Sequence, residues 1–179
     1  ETANREASEL RTKLEEARDN ARRDPLTGLP NRRAFEEAYA VQASTGARIC
    51  VAVCDVDHFK SVNDRFGHGV GDRVLKALGE ALSETCKGHL VARYGGEEFV
   101  VLFTGLDLRV ARAVLDRARI AVSAKRYRLR ETDAPLGEIT FSAGLSPAAP
   151  GEVFGTVFHR ADQLCYAAKN GGRNCIRVD

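Results

Sequence analysis

The sequence predicts an α/β sandwich with one sheet of mixed or antiparallel strands and a separate helix in front. Three observations carry this. Short apolar runs at residues 49–53, 90–92, 99–103 and 139–145 have the length and side-chain type of buried strands. Between them, apolar residues recur every three or four positions at 70–82, 110–122 and 157–168, as on one face of a helix. Gly, Pro and Asn separate the two kinds of segment. Strands and helices that alternate in this way pack as layers around one core.

The elements follow in chain order. Residues 1–22 are charged and contain neither Gly nor Pro. Ala3, Ala7, Leu10, Leu14, Ala17 and Ala21 alternate at spacings of four and three, a seam of roughly three heptads. A lone solvated helix and a dimeric coiled coil both fit; the unbroken seam and charged flanks favour the coiled coil, although small alanines weaken it. Asp24-Pro25-Leu26-Thr27-Gly28-Leu29-Pro30 ends that helix, because Pro and Gly forbid its continuation. Asn31 caps the next one, in which Phe35, Ala38 and Tyr39 share a face. The unbroken apolar run at 49–53 reads as a central strand buried on both faces, with Asp55-Val56-Asp57 at its end. A polar loop leads to a helix whose apolar face is Val70, Val74, Leu78, Ala81 and Leu82. Residues 90–103 read as strand, tight turn, strand, with Gly95 and Gly96 at a tip that requires positive φ. A helix over 110–122 should face the core with Val110, Ala113, Val114 and Ala121. A polar loop at 130–138 precedes the strand 139–145. Val157, Ala161, Leu164, Cys165 and Ala168 mark the last helix, stopped by Asn170-Gly171-Gly172, and residues 175–178 can add an edge strand.

Composition narrows the function classes. The chain of 179 residues suits one domain with a short appendage. The formal net charge is +2 and no basic block dominates, which argues against a nucleic-acid duplex as partner. No apolar run approaches the ~20 residues of a membrane span, and no signal peptide is present. The absence of Met, even at position 1, points to a piece excised from a longer protein. The five cysteines form no CxxC pair and lie mainly in apolar or periodic segments, as buried thiols in a reducing cytoplasm do. Cys50 and Cys54 fall on one face of their strand.

The chemistry lies in two acidic pairs, Asp55 with Asp57 and Glu97 with Glu98. On the turn alone, solvated glutamates on an exposed hairpin would account for Glu97 and Glu98. If the two strands are neighbours, however, the carboxylates converge on one edge of the sheet. Three or more oxygen ligands there would suit Mg²⁺, completed by substrate phosphates. That arrangement points to phosphoryl or nucleotidyl transfer.

Residues 24–179 resemble the GGDEF family of diguanylate cyclases. Gly95-Gly96-Glu97-Glu98-Phe99 is the signature with Glu in the variable acidic place. It is supported by Asp24-Pro25-Leu26-Thr27-Gly28-Leu29-Pro30-Asn31-Arg32-Arg33, by Asp55-Val56-Asp57-His58-Phe59-Lys60, by Asn63-Asp64, Gly67-His68 and Gly71-Asp72, and by Ala161-Asp162, Tyr166-Ala167-Ala168-Lys169 and Gly172-Arg173-Asn174. The resemblance implies a central, mostly antiparallel sheet flanked by helices, like nucleotidyl cyclases and polymerase palms. It divides the chain into a signalling or coiled-coil helix, residues 1–23, and a catalytic domain, residues 24–179. It implies that two GTP condense to cyclic di-GMP and two pyrophosphates across a homodimer. Mg²⁺ is the expected cofactor, with Mn²⁺ as an alternative, and an upstream sensory domain the expected partner.

By the same resemblance, Asp55 and the Val56 carbonyl should bind metal. Glu97 should bind metal and take the 3′-hydroxyl proton, with Glu98 as a further carboxylate. The 56–60 turn, including Phe59, should offer amides to the phosphates, with Lys60, Lys169 and Arg173 as cations. Asn63 and Asp72 should read guanine, since a carboxylate accepts from both N1–H and the 2-amino group. His68 should lie near the nucleotide; a local hydrogen bond at a helix entry is an equal alternative. Asp57 and Asp64 read as structural or solvated carboxylates, and Asp162 and Tyr166 as packing and helix positions. The family's inhibitory Arg-x-x-Asp is replaced here by Cys86-Lys87-Gly88-His89, and Arg117 reads as an exposed helical charge. Two other classes remain to be separated from an enzyme: a degenerate GTP-binding domain and a pure dimerisation module. The complete acidic and cationic set argues against both.

Overall fold

The computed structural model describes residues 1–179. The elements are α1 (Thr2–Asn20), α2 (Arg32–Ser44), β1 (Ile49–Val56), α3 (Phe59–Phe66), α4 (His68–Thr85), β2 (Leu90–Arg93), β3 (Glu98–Thr104), α5 (Leu108–Ala124), β4 (Phe141–Pro147), α6 (Phe154–Asn170) and β5 (Ile176–Val178). The strands form one sheet in the order β2-β3-β1-β4-β5. The first three pairings are antiparallel, and β5 joins β4 in parallel. The expected mostly antiparallel sheet is therefore present, with a parallel edge.

The apolar run that predicted a central strand is β1. Because successive side chains alternate faces, Cys50, Ala52, Cys54 and Val56 enter the larger core, beneath α3, α4 and α5. Ile49, Val51 and Val53 enter the smaller one with Phe35 and Tyr39 of α2 and Val157, Ala161 and Cys165 of α6. Asp55 continues the second series, so it emerges on the α6 side. Asn31 caps α2 as expected, its side chain accepting from the Ala34 amide at 3.1 Å. The expected stop at the Asn-Gly-Gly run is the end of α6.

Three expectations require correction. The stretch after Asp57 is not a polar loop: Phe59 and Val62 are buried, and the segment closes into α3. Two apolar residues in a short polar run gave too little period to reveal it. On α5, the core face is Ala111, Leu115, Ala118 and Val122, whereas Val110 is 44 % exposed. Two adjacent stripes of that helix are apolar, and burial of the bulky Leu115 selects between them. Finally, neither Gly95 nor Gly96 adopts positive φ. Arg93 pairs with Phe99, so the connection is longer than a two-residue hairpin, and the Tyr94 and Gly95 amides both donate to the Glu98 carbonyl, at 2.8 and 3.2 Å. A Cβ at Gly96 would meet nothing in this chain.

Gly144 is different. A Cβ there would collide with the Ala161 carbonyl and the Cys165 amide, and would lie 2.7 Å from Leu164 Cβ. β4 and α6 can approach this closely only without a side chain. Gly144→Ala should therefore cost roughly 1–3 kcal/mol, the range of an overpacked core. Urea unfolding would measure it, with an unchanged midpoint as the contrary result.

Candidate active site

The pairing of β1 with β3 sets Asp55 directly opposite Glu98. The Val56 amide donates to the Glu97 carbonyl at 3.2 Å, which stitches the glycine turn to the end of β1. The two acidic stretches therefore meet, as the sequence suggested. They do not meet as a cluster of three side chains around one point. Asp55 and Glu97 are neighbours, with the Val56 carbonyl beside them.

A cation already stands there. Lys169, in the last turn of α6, places Nζ 2.8 Å from Asp55 Oδ1, 3.3 Å from the Val56 carbonyl and 3.4 Å from Asp57 Oδ1. Asp55 Oδ1 is nevertheless buried with no aligned hydrogen-bond donor. Burial works against the ammonium, but Asp55 and then Asp57 hold its pKa above the ordinary value. Burial, and next the Asp55 charge, push Glu97 upward, against the pull of Lys169. Glu98 is raised to about 7, first by burial and then by Asp162 and Asp55, with Arg32 opposing. An under-paired buried carboxylate oxygen, a carbonyl and a second carboxylate beside them are hard oxygen donors of net negative charge. They fit a hard divalent cation that keeps part of its shell for water or phosphate.

Asp57 is a structural carboxylate. It accepts from the hydroxyls of Thr140 and Ser142, both at 2.7 Å, and from the Asn174 amide at 3.0 Å. The sequence reading missed these partners. Their signal was there: Thr140 and Ser142 are polar positions two apart in an apolar strand, hence on one face.

The glycine turn is braced from behind. The Arg93 guanidinium donates to the Gly96 carbonyl at 3.2 and 2.7 Å and pairs with Asp24 at 3.1 Å. Thr27 donates to the same Asp24 through its amide at 2.8 Å and its hydroxyl at 2.7 Å. Burial opposes the Asp24 charge, but Thr27 and then Arg93 hold its carboxyl below the ordinary value. Tyr94 donates to Glu36 at 2.9 Å, stacks on Phe158 with centroids 4.6 Å apart, and lies under Arg32. None of these supports was read from the sequence.

The other expected residues occupy two places. Asn63 of α3 packs on Gly71 of α4, where a Cβ would collide with its Oδ1. That oxygen is buried and unpartnered, and Asp72, the residue after Gly71, is exposed. His68 opens α4 with an exposed side chain. Phe59 is 8 % exposed and its ring belongs to the core, so only its amide could face a ligand. His58 opens α3 in the left-handed region, φ 54°, without a side-chain cap. Lys60 is exposed on the first turn, and Arg173 is exposed in the turn after α6.

The family profile described as "Diguanylate cyclase, GGDEF domain" matches residues 21–175. This chain belongs to the GGDEF family. It is 42 % identical over 178 residues to the diguanylate cyclase DgcP of Pseudomonas aeruginosa, covering 97 % of this chain and 26 % of that protein. It is 35 % identical over 172 residues to the diguanylate cyclase VdcA of Vibrio cholerae, covering 96 % and 51 %. The chain thus spans about half or less of the length of these relatives. Among solved structures, the coiled coil and GGDEF domain of DgcB from Caulobacter crescentus, in complex with c-di-GMP, superposes with a TM-score of 0.93 at 37 % identity, over 99 % of this chain and 96 % of that one. The diguanylate cyclase SiaD, in complex with its activator SiaC from Pseudomonas aeruginosa, gives a TM-score of 0.85 at 33 % identity, over 99 % and 69 %.

Within this GGDEF domain, Cys86 is fully buried, and burial raises its thiol to about 11. His89 Nδ1 accepts from the Thr104 amide at 3.2 Å, and the ring leans on Phe103. Burial lowers the His89 pKa from its ordinary 6.5. A depressed folded value means that the unfolded chain binds the proton first. Stability from neutral His89 is thus present above the unfolded pKa and lost as pH falls through the folded one. The melting temperature of His89→Gln should accordingly fall less than that of the parent between about pH 7 and pH 5. Parallel slopes in thermal scans would contradict this.

Proposed function

We propose that this chain is the catalytic domain of a diguanylate cyclase, which condenses two GTP into cyclic di-GMP and two pyrophosphates. The observation that supports the reading is that Asp55 and the Val56 carbonyl share the Lys169 ammonium, with Glu97 beside Asp55. Membership of the GGDEF family supplies the reaction.

In this reading Asp55, the Val56 carbonyl and Glu97 hold the metal, with Glu98 as an adjoining carboxylate. Mg²⁺, or Mn²⁺, would supply positive charge against the developing phosphate charge. Glu97 accepts the proton of the 3′-hydroxyl as general base. The freed O3′ attacks the α-phosphorus of the other GTP, and pyrophosphate leaves. The same step in the opposite sense closes the ring. Lys60, Lys169, Arg173 and the first amides of α3, including that of Phe59, hold the triphosphate. Asp72 accepts the guanine N1–H and 2-amino group, and Asn63 offers the base its unpartnered side-chain oxygen. His68 borders the base.

Each domain carries one such half-site, so the reaction requires a homodimer. α1 buries no residue, and it leaves Leu10 67 % and Leu14 51 % exposed, as a helix awaiting a partner copy would. We assign residues 1–23 to a coiled coil that transmits the state of an upstream sensory domain, and residues 24–179 to catalysis in the cytoplasm. No helix is long and apolar enough to cross a membrane.

Incubation with GTP and Mg²⁺, followed by chromatography for cyclic di-GMP, tests the reading directly. Glu97→Gln should lose about two orders of magnitude of turnover or more while remaining folded. Near-normal product from this variant would sink the assignment. Feedback offers a second test. A buried thiol and a neutral, hydrogen-bonded imidazole stand where a cation and a carboxylate would grip the product. Progress curves with added cyclic di-GMP should therefore reveal no tight noncompetitive inhibition. Potent inhibition that disappears on changing Lys87 or His89 would overturn this.

A further inference from the structure

Asp57 is 4 % exposed, yet no reading so far gives it work beyond packing. Its two oxygens receive four donors, from β4 and the residue before it, from α6 and from the turn that follows α6. Oδ1 accepts from Ser142 and Lys169, and Oδ2 from Thr140 and the Asn174 amide. Two of these donors bear on the pair of cations assigned to the triphosphate. Lys169 is one of them directly. The Asn174 amide follows Arg173, the other.

The backbone at that point is unusual. Arg173 and Asn174 both lie in the left-handed region, with φ 63° and 46°, although neither is glycine. Residues with side chains persist there only when their surroundings over-determine the conformation. Three anchors do so. The Arg173 amide donates to the Ala168 carbonyl at 3.0 Å. Arg119, reaching from α5, donates to the Asn174 carbonyl at 3.2 Å and to its side-chain oxygen at 3.0 Å. Asp57 takes the Asn174 amide from the sheet side. With the strap bolted at three points, the Arg173 side chain is left pointing outward, exposed.

Lys169 has a second dependence on Asp57. Its ammonium touches Asp55, the Val56 carbonyl and Asp57. The first two are the oxygens assigned to the metal. Once they are committed, Asp57 is the one of the three that remains for the ammonium.

We propose that Asp57 is the positioning residue for the triphosphate: one buried carboxylate anchors Lys169 and the left-handed Arg173–Asn174 strap, and so sets where both cations stand. This rests on the reading of Lys169 and Arg173 as phosphate-binding groups. It also explains why a carboxylate beside an acidic metal site is walled in by hydroxyls and an amide. Those donors satisfy Asp57 where it lies and keep it from competing for the metal.

The test separates triphosphate binding from base binding, without turnover. The probes are GTP with a methylene in place of the α–β bridging oxygen, which cannot release pyrophosphate, and GMP, each titrated calorimetrically in Mg²⁺. The parent should prefer the triphosphate analogue. In Asp57→Asn, which keeps shape but not charge, affinity for the analogue should fall about tenfold while that for GMP stays within about twofold. Retained preference overturns the proposal, as does an equal loss for both ligands, which would mark a merely structural role. A parent without preference would overturn the phosphate assignment itself, and the proposal with it. Should Asp57→Asn not fold, Arg119→Gln releases the same strap from the far side. A smaller loss confined to the analogue supports the proposal; unchanged preference overturns it.

Discussion

The site depends on one interaction, the antiparallel pairing of β1 with β3. It places Asp55 opposite Glu98 and lets the Val56 amide close on the Glu97 carbonyl. A slip of one residue would send Asp55 to the opposite face of the sheet, away from Lys169. Nothing permits that slip, because β1 is buried on both sides and each face has its own core. The register that packs Val51 and Val53 against α2 and α6 is the register that aims Asp55 at α6. Packing and chemistry are therefore set by the same pairing.

That pairing concentrates negative charge where burial makes charge costly. Burial first, and then the Asp55 charge, raise the pKa of Glu97, while burial and the charges of Asp162, Asp55 and Glu97 raise that of Glu98. Lys169 offsets part of this, but leaves Asp55 Oδ1 without an aligned donor. The protein thus stores an electrostatic deficit that a divalent cation with phosphate would relieve. Asp57, one side chain further on, shows how a buried carboxylate in the same neighbourhood is satisfied by protein donors alone. Two hydroxyls and an amide complete its shell.

The glycine turn is soft by composition and stiff by context. Gly95 and Gly96 bring no side chains to hold it. Arg93 grips the Gly96 carbonyl and is held in turn by Asp24, while Tyr94 is clamped between Arg32 and Phe158. Asp24 lies just beyond α1, where Asn31 also donates to the Ala21 carbonyl. The end of the first helix and the turn are therefore joined by a short chain of polar contacts.

Much of this was legible in the sequence. The apolar run of β1, the cap at Asn31, the stop after α6 and the two acidic pairs follow from local rules of periodicity, capping and charge. So does the family, because its motifs are ordered short stretches. What the sequence could not decide was anything set by a choice between equivalent surfaces or by a distant partner. The core face of α5 was ambiguous until Leu115 found its place. α3 was hidden because two buried residues make no period. Gly95 and Gly96 looked like a tight turn until the register lengthened it. Asp57 looked idle because its donors, Thr140, Ser142 and Asn174, lie more than eighty residues away in the chain. Hydrogen bonds across such distances leave no local trace, and only the folded sheet brings them to one carboxylate.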